Sequence, residues 1–174
     1  VSEIFLKDRP ELDLYIQSYI DLKAIDRSQV QVMDTCTLYN VKILEKQSLR
    51  LFMNLHVLND FRYLNQYLLQ VHATLKNGGY FVIRKRRLEN YREMLEAKFP
   101  NYIATLLYII HFGWHRVCPK LPFLNRLYFV LSKGKKRVVT RAEFIGRLYF
   151  CGFKLIKFKR VGYSHWFIAQ KLTT

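Results

Sequence analysis

The chain has 174 residues, 51% of them apolar, which suits one globular domain with a sizeable core and argues against disorder. Its net charge of +16 at pH 7 points to phosphate-bearing partners on nucleic acid, anionic lipid, a nucleotide or a polyprenyl-phosphate substrate. The cysteines Cys36, Cys118 and Cys151 are scattered, with no CxxC or Cys/His ligand spacing, which speaks against a disulfide framework or a structural zinc site and fits a reducing cytosol. Val1 to Pro10 has mixed charge and no continuous apolar run, so no signal peptide is read there, and the missing initiator Met suggests a fragment start.

Between Glu11 and Leu22, Leu12, Tyr15, Ile16, Tyr19 and Ile20 recur at helical spacing behind Pro10, which predicts a helix. Val30 to Asp34 is a short strand, Thr35 to Asn40 a loop, and Leu49 to Leu55 a second strand buried on both faces. Asn59 or Asp60 is expected to cap a helix from Asp60 to Leu75, whose apolar residues step by three and four. Asn77-Gly78-Gly79 would end that helix and lead into a strand from Tyr80 to Ile83.

After the basic cluster Arg84 to Arg87, a helix to about Lys98 is expected, closed by Pro100. Asn101 to Trp114 is nearly uncharged but too short for a bilayer span, which needs roughly 20 apolar residues. Phe123 to Leu131 is again aromatic and apolar, and a basic turn follows over Lys133 to Arg137. Thr140 is expected to cap a helix, with Glu143 at capping-box spacing, and Gly152 closes that helix. Phe153 to Lys159 and His165 to Leu172 read as an antiparallel hairpin joined around Gly162. The order predicts a single α/β domain over residues 1–174 with about five strands, mostly parallel, and a helical insertion around 100–132.

The stretch LRLFMNLHVLNDFRYLNQYLLQVHATLKNGGYFVIR, from Leu49, resembles the middle of class I, S-adenosylmethionine-dependent methyltransferases. In that family a Leu-Lys-x-Gly-Gly turn feeds the fifth strand, and Leu75-Lys76-Asn77-Gly78-Gly79 matches it. The terminal hairpin matches the family's sixth and seventh strands. A generic helix-to-strand connection remains the plainer alternative. The resemblance implies a reduced, Rossmann-like, three-layer domain.

The family's first strand is followed by a glycine-rich loop, where missing side chains let the cofactor reach the backbone. Here that place reads Asp34-Thr35-Cys36-Thr37-Leu38-Tyr39-Asn40, without glycine, and the short run to Leu49 leaves no room for the usual second and third strands. No cofactor is therefore expected, with S-adenosylmethionine kept as the alternative. Thr35, Cys36 and Thr37 are candidates for holding a phosphate or nucleotide, against a plain capped strand end. Asn54, His56, Asn59 and Asp60 lie at the carboxyl end of the second strand, where α/β folds place ligands. His56 suits a general base, but local spacing sets no Ser, Cys or carboxylate beside it, and Asn59 and Asp60 also serve as caps. The remaining histidines show no metal spacing, and no metal is expected.

The series YIDL (19–22), NLHxxNDFRxxN (from Asn54), KFPNYI (from Lys98), RVCPKLPFLNRLYFVLSKGKKRV (from Arg116) and RAEFIGRLYFCGF (from Arg141) spans nearly the whole chain. It resembles the amino-terminal region of bacterial sugar transferases, mainly of Bacteroidetes, that serve exopolysaccharide or O-antigen assembly. There the region precedes a membrane-associated domain that loads a sugar phosphate onto polyprenyl phosphate. The resemblance implies an accessory, non-catalytic, methyltransferase-like domain that docks or regulates that downstream domain, cytoplasmic and peripheral at the inner membrane. The alternative is an active S-adenosylmethionine-dependent methyltransferase, or a nucleotide-binding enzyme, with an atypical loop.

Ala97 to Ala142 contains no Asp or Glu and interleaves aromatics with cations. Trp114, Arg116, Lys120, Arg126, Lys133, Lys135, Lys136 and Arg137 are the candidates for contact with an anionic membrane or a phosphate such as a polyprenyl phosphate or nucleotide sugar. A helical insertion with a solvated basic rim is the plainer reading. Nucleic acid is disfavoured as a partner, because no RNP, helix-turn-helix or KH signature accompanies the charge.

Overall fold

The computed structural model describes residues 10–86, 89–132, 137–161 and 164–172. Its centre is a five-stranded sheet in the order β1 (Val30–Met33), β2 (Leu49–Val57), β3 (Leu75–Arg86), β5 (Ser164–Lys171) and β4 (Phe153–Val161). β1, β2 and β3 run parallel, and β5 lies antiparallel between β3 and β4. In a doubly wound sheet, strands continue on both sides of the first one. Among the described residues β1 is the edge, and no strand stands between β1 and β2 where the sequence leaves no room for the usual second and third ones.

Alternation along the strands divides the core between the two faces of the sheet. Phe52, Phe81, Ile83, Phe167 and Ala169 face α3 (Leu64–Thr74) and α7 (Arg141–Phe150), packing against Tyr67, Leu68, Val71, Phe144 and Leu148. Leu51, Met53, Val82, Trp166 and Ile168 face the other way, onto Leu12, Tyr15, Ile16 and Ile20 of α1 (Pro10–Gln17) and its extension. The result is the expected three-layer, reduced Rossmann-like domain. Lys171, near the end of β5, donates to the carbonyls of His72 and Leu75 at 2.9 and 2.8 Å and so satisfies the end of α3.

Two boundaries differ from expectation. Asn59 and Asp60 lie in a 3-10 turn, and α3 begins only at Leu64 without a side-chain cap. Phe61 causes the delay: its ring packs 4.2 Å from Tyr67 in the core, and the chain must dip inward before the helix starts. The Gly78-Gly79 pair does not stop a helix either, because α3 ends at Thr74 and the pair sits inside β3. There Gly78 takes φ +73° and allows the register to jump from Leu75↔Leu49 to Tyr80↔Leu51.

A short α2 (Tyr39–Lys42) joins β1 to β2, and beyond β3 come α4 (Glu89–Glu96), α5 (Asn101–Phe112) and α6 (Leu124–Ser132). Thr140 caps α7 by accepting the Glu143 N–H at 3.2 Å, as the spacing predicts. Gly152 follows α7 at φ +82°. The loop around Gly162 falls outside the described residues.

Candidate functional site

Register brings the ends of β1 and β2 together. Met33 pairs with Asn54, so the loop at 34–37 leaves the sheet beside the last residues of β2, 54–57, at its carboxyl edge. Asn54 is fully buried there. Its Nδ2 donates to the Thr35 carbonyl at 2.8 Å and to the Tyr67 hydroxyl, and its Oδ1 accepts the N–H groups of Thr35 at 3.3 Å and His56 at 2.9 Å. Burial drives the Tyr67 phenol well above its usual range, and the Asn54 bond opposes this only in part.

Thr35 Oγ1 in turn accepts from the Thr37 N–H at 3.2 Å and from Asn40 Nδ2 at 2.8 Å, and it lies 3.0 Å from Thr37 Oγ1. The loop after β1 is thus held by its own side chains. Where glycines would leave backbone open for a nucleotide, Thr35, Thr37, Asn40 and Asn54 bond to one another. Cys36 packs half-buried against the core beside them.

His56 has company that local spacing did not show. Its Nδ1 lies 2.8 Å from Asp34 Oδ1 and its Nε2 3.3 Å from Asp60 Oδ2. Asp34 is 22 residues away in sequence and arrives through the parallel pairing of β1 and β2. With each ring nitrogen within reach of a carboxylate, neither is open to a substrate unless one carboxylate swings away.

Asn59 stands apart from this group. Its Oδ1 accepts the Arg86 N–H at 2.8 Å, its Nδ2 donates to the Arg137 carbonyl at 2.7 Å, and its own carbonyl accepts the Arg137 N–H at 2.9 Å. It joins the ends of β2 and β3 to the segment entering α7.

Of the basic candidates, two are turned inward. Arg137 Nη1 donates to the Arg62 carbonyl at 3.2 Å, and burial, then the neighbouring Arg147, lowers its guanidinium pKa. Arg116 bonds the Val138 carbonyl at 3.3 Å and Glu143 at 3.2 Å. Arg147, which composition and spacing did not single out, meets the other Glu143 oxygen at 3.0 Å and Asn65 Oδ1 at 2.6 Å. Burial works to raise the Glu143 carboxyl pKa, but the Arg147 bond and charge, with Lys120 and Arg116, outweigh it and hold the group below its usual range.

Trp114 is half-buried against Tyr128, at 5.8 Å between rings. Lys120 and Arg126 are exposed. Lys133, Lys135 and Lys136 fall outside the described residues.

The apolar residues around these cations point outward. Tyr102, Leu106, Ile109 and Ile110 form one exposed stripe along α5, with Tyr102 75% exposed. Leu124, Leu127, Val130 and Leu131 form another on α6, next to Phe123 at 91% exposure. A helix packed into a soluble fold turns this face inward. No helix among the described residues is long and apolar enough to cross a membrane. Among the same residues, no group of His, Cys, Asp and Glu suits a metal ion.

No protein-family model matches the chain, and no curated protein matches it. Solved methyltransferases are similar to it. One is an S-adenosylmethionine-dependent methyltransferase from Mesorhizobium loti, at 15% identity and TM-score 0.47, with 74% of this chain and 64% of that one covered. Another is a SAM-dependent methyltransferase from Aquifex aeolicus, at 12% identity and TM-score 0.45, covering 75% and 50%. A putative type 11 methyltransferase from Sulfolobus solfataricus stands at 13% identity and TM-score 0.44, covering 77% and 56%. The chain spans less than two thirds of the length of each. The domain, by its strand order and layers, has a reduced class I methyltransferase-like fold.

Proposed function

We propose that this chain is an accessory, non-catalytic, methyltransferase-like domain of a membrane-associated sugar transferase in exopolysaccharide or O-antigen synthesis. In this reading it seats the downstream transferase domain on the anionic cytoplasmic face of the inner membrane. The observation that carries the membrane part is the pair of outward apolar stripes on α5 and α6, set in an acid-free tract. Apolar and aromatic side chains enter the headgroup boundary, while Lys98, Lys120 and Arg126 meet the lipid phosphates. Each such cation near an anionic surface contributes about 1 kcal/mol.

The side-chain-filled loop after β1 supports a non-catalytic role, because a nucleoside entering there must first break the bonds among Thr35, Thr37, Asn40 and Asn54. The rival reading, an active methyltransferase with an atypical loop, draws on His56 and its flanking carboxylates at the same edge. Calorimetry with S-adenosylmethionine, its demethylated product and nucleotide sugars separates the two. Absence of heat with all three supports the accessory domain, and saturable heat with any of them supports the enzyme. Flotation with anionic liposomes tests the membrane part, which requires salt-sensitive binding.

A further inference from the structure

Where the turn after α5 meets the segment entering α7, arginines outnumber carboxylates among the described residues. Glu143 bridges Arg116 and Arg147 with its two oxygens, at 3.2 and 3.0 Å. Arg137 is close enough to feel both Arg147 and Glu143, and among the described residues its Nη1 donates to the main-chain oxygens of Phe61 and Arg62, at 3.4 and 3.2 Å. Lys120 adds its field to Glu143. Asp60, the next carboxylate along this edge, is engaged by His56. Three guanidiniums against one carboxylate leave a local charge of +2 before Lys120 is considered.

Arg147 Nε finds no hydrogen-bond acceptor among the described residues, so Glu143 and Asn65 leave this guanidinium partly unsatisfied. The capped N-terminus of α7 opens at the same place, and its amide ends favour negative charge. Arg116, Glu143 and Arg147 all keep part of their side chains in solvent, so the cluster can be reached from outside.

We propose that Arg116, Arg137 and Arg147 bind the phosphate of a phosphate monoester, held at the foot of the apolar stripes of α5 and α6. Guanidinium forks match phosphoryl oxygens in pairs, and a monoester carries close to two negative charges at neutral pH, which equals the local excess. Glu143 holds the Arg116 and Arg147 forks in place. A diester headgroup, with one charge, satisfies the cluster only in part. A lipid source of the monoester rests on the membrane reading above, whereas a soluble source does not.

The test uses the full chain. Flotation is measured on phosphatidylcholine vesicles doped with phosphatidic acid, and on vesicles doped with phosphatidylglycerol at matched surface charge. Thermal melting is followed with inorganic phosphate, against chloride at equal ionic strength. Phosphatidic acid vesicles are expected to bind about fivefold more tightly. Arg116→Gln and the charge-conserving Arg147→Lys should each abolish that preference and leave phosphatidylglycerol binding in place.

A phosphate-dependent rise in melting temperature, lost in Arg147→Lys, with no lipid preference, assigns the site to a soluble monoester. The same rise without any vesicle binding keeps the phosphate site and overturns the membrane reading. Equal binding to both vesicle types with no effect of phosphate overturns the site and leaves the membrane reading standing. A preference that survives both substitutions also overturns it.

Discussion

Asn54 and Thr35 bond through both of their amides: the Asn54 side chain donates to the Thr35 carbonyl at 2.8 Å and accepts the Thr35 N–H at 3.3 Å. This closes the loop that follows β1 from within. Asn54→Ala removes four bonds and leaves the Thr35 main chain and the Tyr67 hydroxyl without that partner in a buried place. The expected loss is about 2–4 kcal/mol of stability, read as a lowered urea midpoint. A loss under about 0.5 kcal/mol, the range of ordinary surface changes, would mean the network is not holding the loop.

The two glycines in β3 differ in what an added methyl group would meet. At Gly79 a Cβ would lie 2.9 Å from the Lys76 carbonyl oxygen and 3.3 Å from those of Arg50 and Leu49, all main-chain atoms. At Gly78 it would find space, with only the left-handed backbone angle to strain it. Gly79→Ala should therefore destabilise by about 2–3 kcal/mol through overpacking, and Gly78→Ala by about 1–2 kcal/mol through its angle. Chemical denaturation of both variants checks the order.

His72 gives the fold a pH dependence of known sign. Its ring packs edge-on against Phe153 at 5.3 Å, and burial, then the Lys171 ammonium, depresses its pKa, with the Gly152 backbone opposing in part. The unfolded chain then binds a proton, near pH 6.5, that the folded chain refuses. This contribution to stability is complete above the ordinary histidine range, falls as pH drops through it, and levels off below the folded pKa. His72→Gln should flatten that part of the urea-midpoint profile between about pH 7.5 and 5.5. An unchanged slope in the variant would refute the assignment.

Exposed cations near the stripes should tune membrane binding without touching the fold. Lys98 and Arg126 are both exposed. Reversing both charges should weaken flotation on phosphatidylglycerol vesicles by about tenfold or more at low salt. The difference should shrink as salt shortens the screening length to about 8 Å at 0.15 M. An unchanged melting temperature would confirm that the loss is one of attachment.

Short apolar, β-prone runs mark β2, β3 and the closing hairpin, and the Thr140 to Glu143 spacing marks the start of α7, because these signals are local. Asn59 and Asp60 mislead because Asn and Asp before an apolar run suit a cap equally well in sequence, whereas Asn59 instead bridges Arg86 and Arg137. The Asp34–His56 pair depends on strand register, and Arg116 reaches Glu143 across 27 residues and separate elements, so no spacing rule reaches these partners. Glu143 and Arg147, four apart on α7, follow ordinary helical spacing. The acid-free tract was visible as composition, but the outward direction of its apolar residues required the packing of α5 and α6.

The central claim, that this methyltransferase-like domain works as a membrane-docking surface, is tested most directly by flotation of the wild-type chain beside a variant carrying Tyr102→Ser, Phe123→Ser and Val130→Ser. Among the described residues of the tract these are the most exposed large apolar side chains, at 75%, 91% and 74%. The wild type should float with phosphatidylglycerol vesicles, and the variant should bind at least about tenfold more weakly, since burying each large apolar side chain contributes about 1.5–3 kcal/mol. Equal flotation of the two chains, or no flotation of the wild type at low salt, would contradict it.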